Sequence, residues 1–205
     1  MTVSMPKRRT PARCLRRGIS TLWLIVFFPL AVIGLLMTIE TGRLWLARME
    51  VEDALESAVL AAVIEWGDHD EHGPHSTLPA RQVAADFAES NTVLGSQFSL
   101  GDASLNHNPG GGHGRGNQNA SQNGVLVFGA ITQIQPTVVF DPGVDPHDDD
   151  HHYYAVLGRA AFSVPSQYNF GGFSPGPYTV SAQTVAIIDN DGRARVIRVD
   201  SIATP

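Results

Sequence analysis

Two segments of this chain combine histidine with carboxylate side chains at spacings that suit a metal ion. They cover residues 69–75 and 145–152 and together hold six of the eight histidines. Imidazole and carboxylate groups are ligands for zinc, copper or nickel. The candidate ligands are His69, His72, His147, His151 and His152.

Neither segment has the surroundings of a preformed metal site. Gly73 and Pro74 interrupt the first, and the second is a continuous polar run without apolar residues to fix the ligand geometry. The sequence therefore favours two solvated polar loops with no cofactor. The alternative is an extracytoplasmic binding module whose loops hold a divalent metal or another ligand.

Common catalytic motifs are missing from the sequence. It contains no Gly-x-Ser-x-Gly, His-Glu-x-x-His or Cys-x-x-Cys, and its only cysteine, Cys14, excludes an intramolecular disulfide. The run from Asp189 to Gly192 starts like a calcium loop but lacks the downstream glutamate, so it predicts a hairpin turn. We expect a protein that is not an enzyme.

Charge is distributed unevenly along the 205 residues. The net charge is -6, yet residues 1–18 carry six basic side chains and no acidic one, which leaves about -12 on the rest. A body with this charge does not suit the phosphate backbone of a nucleic acid. We therefore expect no nucleic-acid partner.

An uncharged apolar stretch joins the basic tail to the acidic body. It covers residues 19–39 and, as a helix, would be about 31 Å long, close to the ~30 Å hydrocarbon thickness of a bilayer. Basic residues before the stretch should keep the N-terminus in the cytoplasm. The sequence predicts a single-pass membrane anchor, with a cleaved signal peptide as the alternative.

The helical pattern continues beyond this stretch through residues 40–66. Small and apolar residues recur every three or four positions, and no glycine or proline interrupts residues 43–66. Gly67 is the expected stop. The alanine-rich face would pack either on the domain that follows or on another subunit, so a homo-oligomer is one possibility.

Residues 16–63 carry a family resemblance. A basic pair and Gly18 precede the apolar stretch, and an alanine-rich helix follows it. Between them lies an acid-x-Gly-Arg-x-aromatic junction made of Glu40, Gly42, Arg43 and Trp45. This pattern resembles the N-terminal segment of the TadE/TadG family of Flp (tight-adherence) pilus-assembly proteins. The resemblance implies a pseudopilin-like protein of the bacterial inner membrane, with assembly contacts at the junction and other pilus-assembly or envelope proteins as partners.

One position departs from the pilin-like members of that family. They keep a glutamate about five residues after the processed glycine, whereas Trp23 stands there in this chain. The departure favours an unprocessed accessory protein over a filament subunit.

Residues 67–205 predict a small extracytoplasmic domain, which makes the whole chain α+β. A short helix is expected at 80–91, and Gly- and Asn-rich or Asp-rich composition predicts mobile loops at about 101–124 and 141–152. Strands are expected at 124–132, 137–140, 153–164, 178–189 and 193–202. We expect an antiparallel sheet covered by the alanine-rich helix.

Overall fold

The structure is a computed structural model of the chain. It describes residues 17–70, 76–109, 117–134, 137–146, 152–168, 172, 174–189 and 191–197, without the side chains of 17–20, 69 and 70. The chain divides into two compact units, residues 1–42 and residues 43–205. In chain order the elements are α1 (Arg17–Asp70), α2 (Leu78–Glu89), β1 (Thr92–Val93), β2 (Ser96–Gln97), β3 (Leu126–Gln133), β4 (Val139–Asp141), β5 (Tyr153–Val164), β6 (Tyr178–Ile188) and β7 (Ala194–Ile197).

The α+β prediction is confirmed by a long N-terminal helix followed by a small antiparallel sheet. Five strands pair in the order β4-β3-β5-β6-β7, and every pairing is antiparallel. These five correspond to the strands expected from the sequence, except that residues 198–202 of the last expected strand lie outside the described residues. The short hairpin of β1 and β2 was not expected, because two-residue strands give no alternating pattern.

The alanine-rich face of α1 packs on this sheet. Ala47, Ala54, Ala58 and Ala62 are at most 1% exposed and share one apolar cluster with Phe128 and other residues of β3, β5 and β6. A glycine on the sheet makes room for two larger residues of the same helix face, Leu55 and Val59. A Cβ added to Gly158 of β5 would lie 2.9 Å from Cδ1 of Leu55, so the glycine permits the close approach. The face therefore covers the chain's own domain.

α1 extends three residues beyond the stop expected at Gly67. It ends at Asp70, and Gly67 lies inside the helix against β6, where an added Cβ would clash with Ile188. The glycine is needed here for close packing, and a helix tolerates it at a cost of about 1 kcal/mol relative to alanine. Pro29 also lies within the continuous helix.

α2 buries a face made of small residues and one arginine. Its buried residues are Ala80, Arg81, Ala84 and Ala88, while Phe87 is 48% exposed. Three alanines at four-residue spacing let the helix approach the rest of the domain closely. The arginine beside them is the large side chain of this buried face.

Candidate functional site

The part of α1 that precedes the sheet domain exposes its apolar side chains. Leu22, Phe28, Leu35 and Met37 are between 60% and 69% exposed. The most apolar 18-residue window of α1 has a mean hydropathy of 2.6, and none of it is buried. Among the residues that the structure describes, one helix, near the N-terminus, is therefore long and apolar enough to span a membrane.

Two threonines near the end of the apolar stretch satisfy their hydroxyls within the helix. Thr38 Oγ1 donates to the carbonyl of Gly34 at 2.9 Å, and Thr41 Oγ1 donates to that of Met37 at 2.8 Å. Lipid tails offer no hydrogen-bond partner, so a polar group in a membrane helix must find one inside the protein. These internal bonds suit an apolar environment.

The four predicted junction residues lie within about one and a half turns of α1 but differ in surroundings. Glu40 is 6% exposed, and neither of its carboxylate oxygens has a hydrogen-bond partner among the described residues. Arg43 donates from Nη1 to the carbonyl oxygen of Pro165 at 2.8 Å. Gly42 is exposed, and Trp45 is 66% exposed. A role of these four residues in assembly contacts stays a prediction.

Most of the candidate metal ligands lie outside the described residues. This holds for His72, His147 and His151, and for the side chain of His69. His152 is half-buried immediately before β5. Among the residues whose side chains the structure describes, no group of three or more His, Cys, Asp or Glu is placed to hold a metal ion. Metal binding by these loops stays a prediction.

The run that resembled a calcium loop forms a hairpin turn between β6 and β7. Oδ1 of Asp189 accepts hydrogen bonds from the amides of Asp191 and Arg193, at 3.1 and 2.9 Å. Gly192 has φ 72°, a left-handed conformation that glycine adopts readily. The turn prediction is confirmed.

Sequence reasoning missed the most polar buried centre of the domain, the side chain of Arg81. This residue is 0% exposed, and its guanidinium lies 4.4 Å from the centroid of the Phe128 ring. Nε donates to Thr77 Oγ1 at 3.0 Å. The remaining donors bind the carbonyls of Leu105, Leu126, Asn117 and Gln118 and the side-chain oxygen of Asn119, at 2.6 to 3.4 Å.

The buried positive charge of Arg81 is hydrogen-bonded to neutral oxygen atoms of carbonyl, hydroxyl and amide groups. Burial lowers the pKa of Arg81 to about 9, and the carboxylate of Asp102 acts in the opposite direction. The side chain is therefore still charged at neutral pH. Five N–H groups in a fixed fork bind acceptors in β3, in the segments before β3 and at Thr77, the residue before α2, so Arg81 joins α2 to these parts of the domain.

Asparagine side chains extend the Arg81 centre along the Gly- and Asn-rich segment. Asn119 donates to the carbonyl of Phe128 at 2.7 Å and accepts from its amide at 2.9 Å. Asn106 donates to the carbonyls of Ser121 and Leu126. Residues 101–109 and 117–124 are thus tied to β3, while mobility over 101–124 and 141–152 stays a prediction. The sequence feature that could have indicated this centre is an arginine within an alanine-rich helix, followed along the chain by an asparagine-rich segment.

Comparison with known proteins gives one finding on the N-terminal segment. A protein-family model described as "Putative Flp pilus-assembly TadE/G-like" matches residues 18–67, about a quarter of the chain. Searches of curated proteins and of solved structures give no match. The matched segment contains the exposed apolar stretch and all four junction residues, which supports involvement in Flp pilus assembly. The family resemblance of the sequence is thereby confirmed: residues 18–67 are similar to the TadE/G-like family.

Proposed function

We propose that this protein is a single-pass protein of the bacterial inner membrane that takes part in Flp pilus assembly through protein-protein contacts and without catalysis. The observation that carries the proposal is the family match over residues 18–67, which includes the exposed apolar part of α1. Since the family is described by assembly and not by a reaction, contacts are the function to test.

The membrane position follows from the length and exposure of the helix. Residues 21–39 span about 29 Å at the helical rise, close to the ~30 Å of a bilayer core. Their exposed leucine, isoleucine and phenylalanine side chains would be covered by lipid. Trp45 then lies about one and a half turns beyond the stretch, where tryptophan is enriched at membrane surfaces.

The orientation follows from charge. The six basic residues before the stretch favour a cytoplasmic N-terminus, and the sheet domain then lies outside the cytoplasm. Its negative charge favours solubility there and does not call for a basic partner.

Contacts with other proteins would use the exposed apolar residues of α1 that follow the stretch. Trp45, Leu46 and Met49 are 66%, 48% and 42% exposed and lie within one helical turn of each other. Neighbouring exposed apolar side chains that include a tryptophan are typical of interaction surfaces. A partner there is another envelope protein or a second copy of this chain.

Topology is tested with the single native cysteine. Full-length protein in spheroplasts is treated with a membrane-impermeant maleimide. Cys14 should be labelled only after permeabilisation, whereas Gln97→Cys in a Cys14→Ser background should be labelled directly, because Gln97 is exposed on the sheet domain. Labelling of Cys14 in intact spheroplasts would overturn the orientation. N-terminal sequencing shows whether an absence of Cys14 labelling comes from protection by the membrane or from cleavage that removes Cys14.

Participation in assembly is tested separately. Deletion of the gene should reduce surface pili, and wild-type protein should restore them. A photoreactive phenylalanine at Trp45 or Met49 should crosslink to an identified pilus-assembly or envelope protein, while the same group at exposed Gln82 on α2 serves as the control. Normal piliation in the deletion strain, with equal crosslinking at Gln82, would contradict the proposal.

A further inference from the structure

The last turns of α1 and the whole of α2 lie side by side and run in opposite directions. Trp66 of α1 and Arg81 of α2 both contact the ring of Phe128. At the other end, Nδ2 of Asn91, two residues beyond α2, donates to Oγ of Ser57 at 3.2 Å. The two contacts are separated by nearly the same length of chain on each side, so the helices are antiparallel.

Phe87 borders the groove between these two helices. Nδ2 of Asn91, which contacts α1, also donates to the carbonyl of Phe87 at 2.7 Å. Phe87 precedes Asn91 by about one helical turn and lies on the same side of α2. Because the helices are antiparallel, one turn back along α2 corresponds to one turn forward along α1, from Ser57 to Leu60. Phe87 therefore lies at about the level of Leu60.

By the same register, Val83 lies one turn farther along, at about the level of Ile64. Phe87 and Ile64 are 48% and 46% exposed, and Val83 and Leu60 are partly buried. These four apolar side chains from two helices form an exposed surface, which we call the α1–α2 groove. An apolar groove between paired helices is a typical binding site for one side of an amphipathic helix.

The charged residues beside the α1–α2 groove have one sign. Among the described residues, every exposed charged side chain in 49–68 and in α2 is acidic. The exposed ones are Asp53, Asp68, Asp86 and Glu89, and Glu56 and Glu65 are partly buried. Arg48, one turn before Glu52, is paired with it at 2.8 Å, and Arg81 is 0% exposed. Residues 91–98, which follow α2, carry no charge. The groove therefore has an apolar centre and a negative border.

This negative border decides among the possible occupants. A second copy docked through the same groove would bring the same carboxylates together, and anionic lipid head groups would also be repelled. Solubility accounts for the net charge of the whole domain, whereas a border of one sign around an apolar groove restricts what fits there. A helix with apolar side chains on one side and lysine or arginine beside them satisfies both the centre and the border.

We propose that the α1–α2 groove binds a basic amphipathic helix of another envelope protein. Its apolar side chains would lie between Ile64 and Phe87, and its lysine or arginine side chains would face Asp68 and Asp86. The groove is about 28 Å along α1 from Trp45, so one chain could hold partners at both places. The location of this partner outside the cytoplasm rests on the proposed orientation, whereas the chemistry of the groove does not.

Photocrosslinking of the full-length protein in native membranes tests the groove. Benzoylphenylalanine replaces Phe87, and the crosslinked peptide is identified by mass spectrometry. We expect a product joined to a different protein, with lysine or arginine within about one helical turn of the crosslinked residue. The matched control carries the same group at Gln82, which is exposed about 140° around α2 from Phe87 and should give little product.

Charge reversal tests the border separately from the apolar centre. With the photoreactive group at Phe87, Asp86→Lys should lower the yield at least about threefold, because an attraction becomes a repulsion. Asp191→Lys makes the same change at an exposed residue of the turn between β6 and β7 and should leave the yield unchanged. Replacing the facing basic residue of the identified partner by glutamate should restore the yield in Asp86→Lys.

Other occupants give different products. A product joined to a second copy, to residues 7–17 of this chain or to lipid would overturn the proposal. Equal yields at Phe87 and Gln82, an unchanged yield in Asp86→Lys, or a partner segment without basic residues would overturn it as well. The amount of membrane-inserted protein is measured by immunoblot in each variant, so that loss of protein is not mistaken for loss of contact.

Discussion

α1 and α2 both pack on the sheet domain, but they do so by opposite means. α1 presents small apolar residues whose many weak contacts are spread over six turns of helix. α2 presents three alanines and one fully buried arginine, and this arginine binds acceptors in β3, in the segments before β3 and at the residue before α2.

The difference lies in how each contact fails. When a substitution adds or removes volume in an apolar face, the loss of stability grows with the size of that change, because neighbouring side chains shift to relieve crowding or to fill a cavity. A buried guanidinium leaves several carbonyls without donors when it is removed, and each unsatisfied carbonyl costs free energy. The α2 attachment should therefore be the more sensitive of the two to a single substitution.

The largest effect is expected for Arg81→Met, which keeps an unbranched chain but removes every donor. Loss of a buried charged group and its bonds should lower the free energy of unfolding by about 3–5 kcal/mol. The measurement is urea unfolding of the full-length protein in detergent, followed by near-UV circular dichroism of Trp66, which lies 5.1 Å from Phe128 and 5.0 Å from Tyr154.

Two further variants show whether the loss comes from the hydrogen bonds. Arg81→Lys keeps the charge but has three donors in place of five, so its loss should be smaller than that of Arg81→Met. Arg195→Met removes an exposed arginine and should change stability by less than about 0.5 kcal/mol. A loss in Arg81→Met no larger than in Arg195→Met would show that the centre does not hold α2.

A smaller effect is expected for Ala58→Leu on the alanine-rich face. Ala58 is 0% exposed against the sheet, so the added methylenes would have to push the helix outwards at a cost of about 1–3 kcal/mol. Ala85→Leu on α2, where the side chain is only partly buried, is the matched control. If Ala58→Leu were as stable as the control, α1 would pack more loosely than the structure indicates.

The same contrast explains what the sequence could predict. The apolar stretch, the alanine spacing and the strand pattern of β3 to β7 each repeat a period, and a repeated period identifies an element and its buried face. The stop predicted at Gly67 was wrong because the reason for that glycine is the nearby Ile188, which is distant in sequence. The Arg81 centre follows no repeating pattern in the sequence, because its hydrogen-bond partners come from four separate segments. The composition of these segments indicated that they are polar but not that they bury an arginine.

The smallest expected effect is a dependence of stability on pH, which should be seen at the Arg81 centre of α2 but not at the alanine-rich face of α1. His107 lies in the segment that Arg81 holds, and its pKa is lowered from 6.5 first by burial and then by the charge of Arg81. The unfolded chain therefore binds the proton more tightly than the folded one, so stability should fall as the pH drops below about 6.5 and should be unaffected above it. His107→Gln should remove this contribution, which is measured as the difference in Tm between wild type and variant at pH 7 and at pH 5. The described buried residues of the alanine-rich face are all apolar and do not titrate. The stability loss caused by Ala58→Leu should therefore be the same at both pH values. A wild-type advantage over His107→Gln that grew towards pH 5 would contradict the expected sign and place a stabilising partner beside the imidazolium.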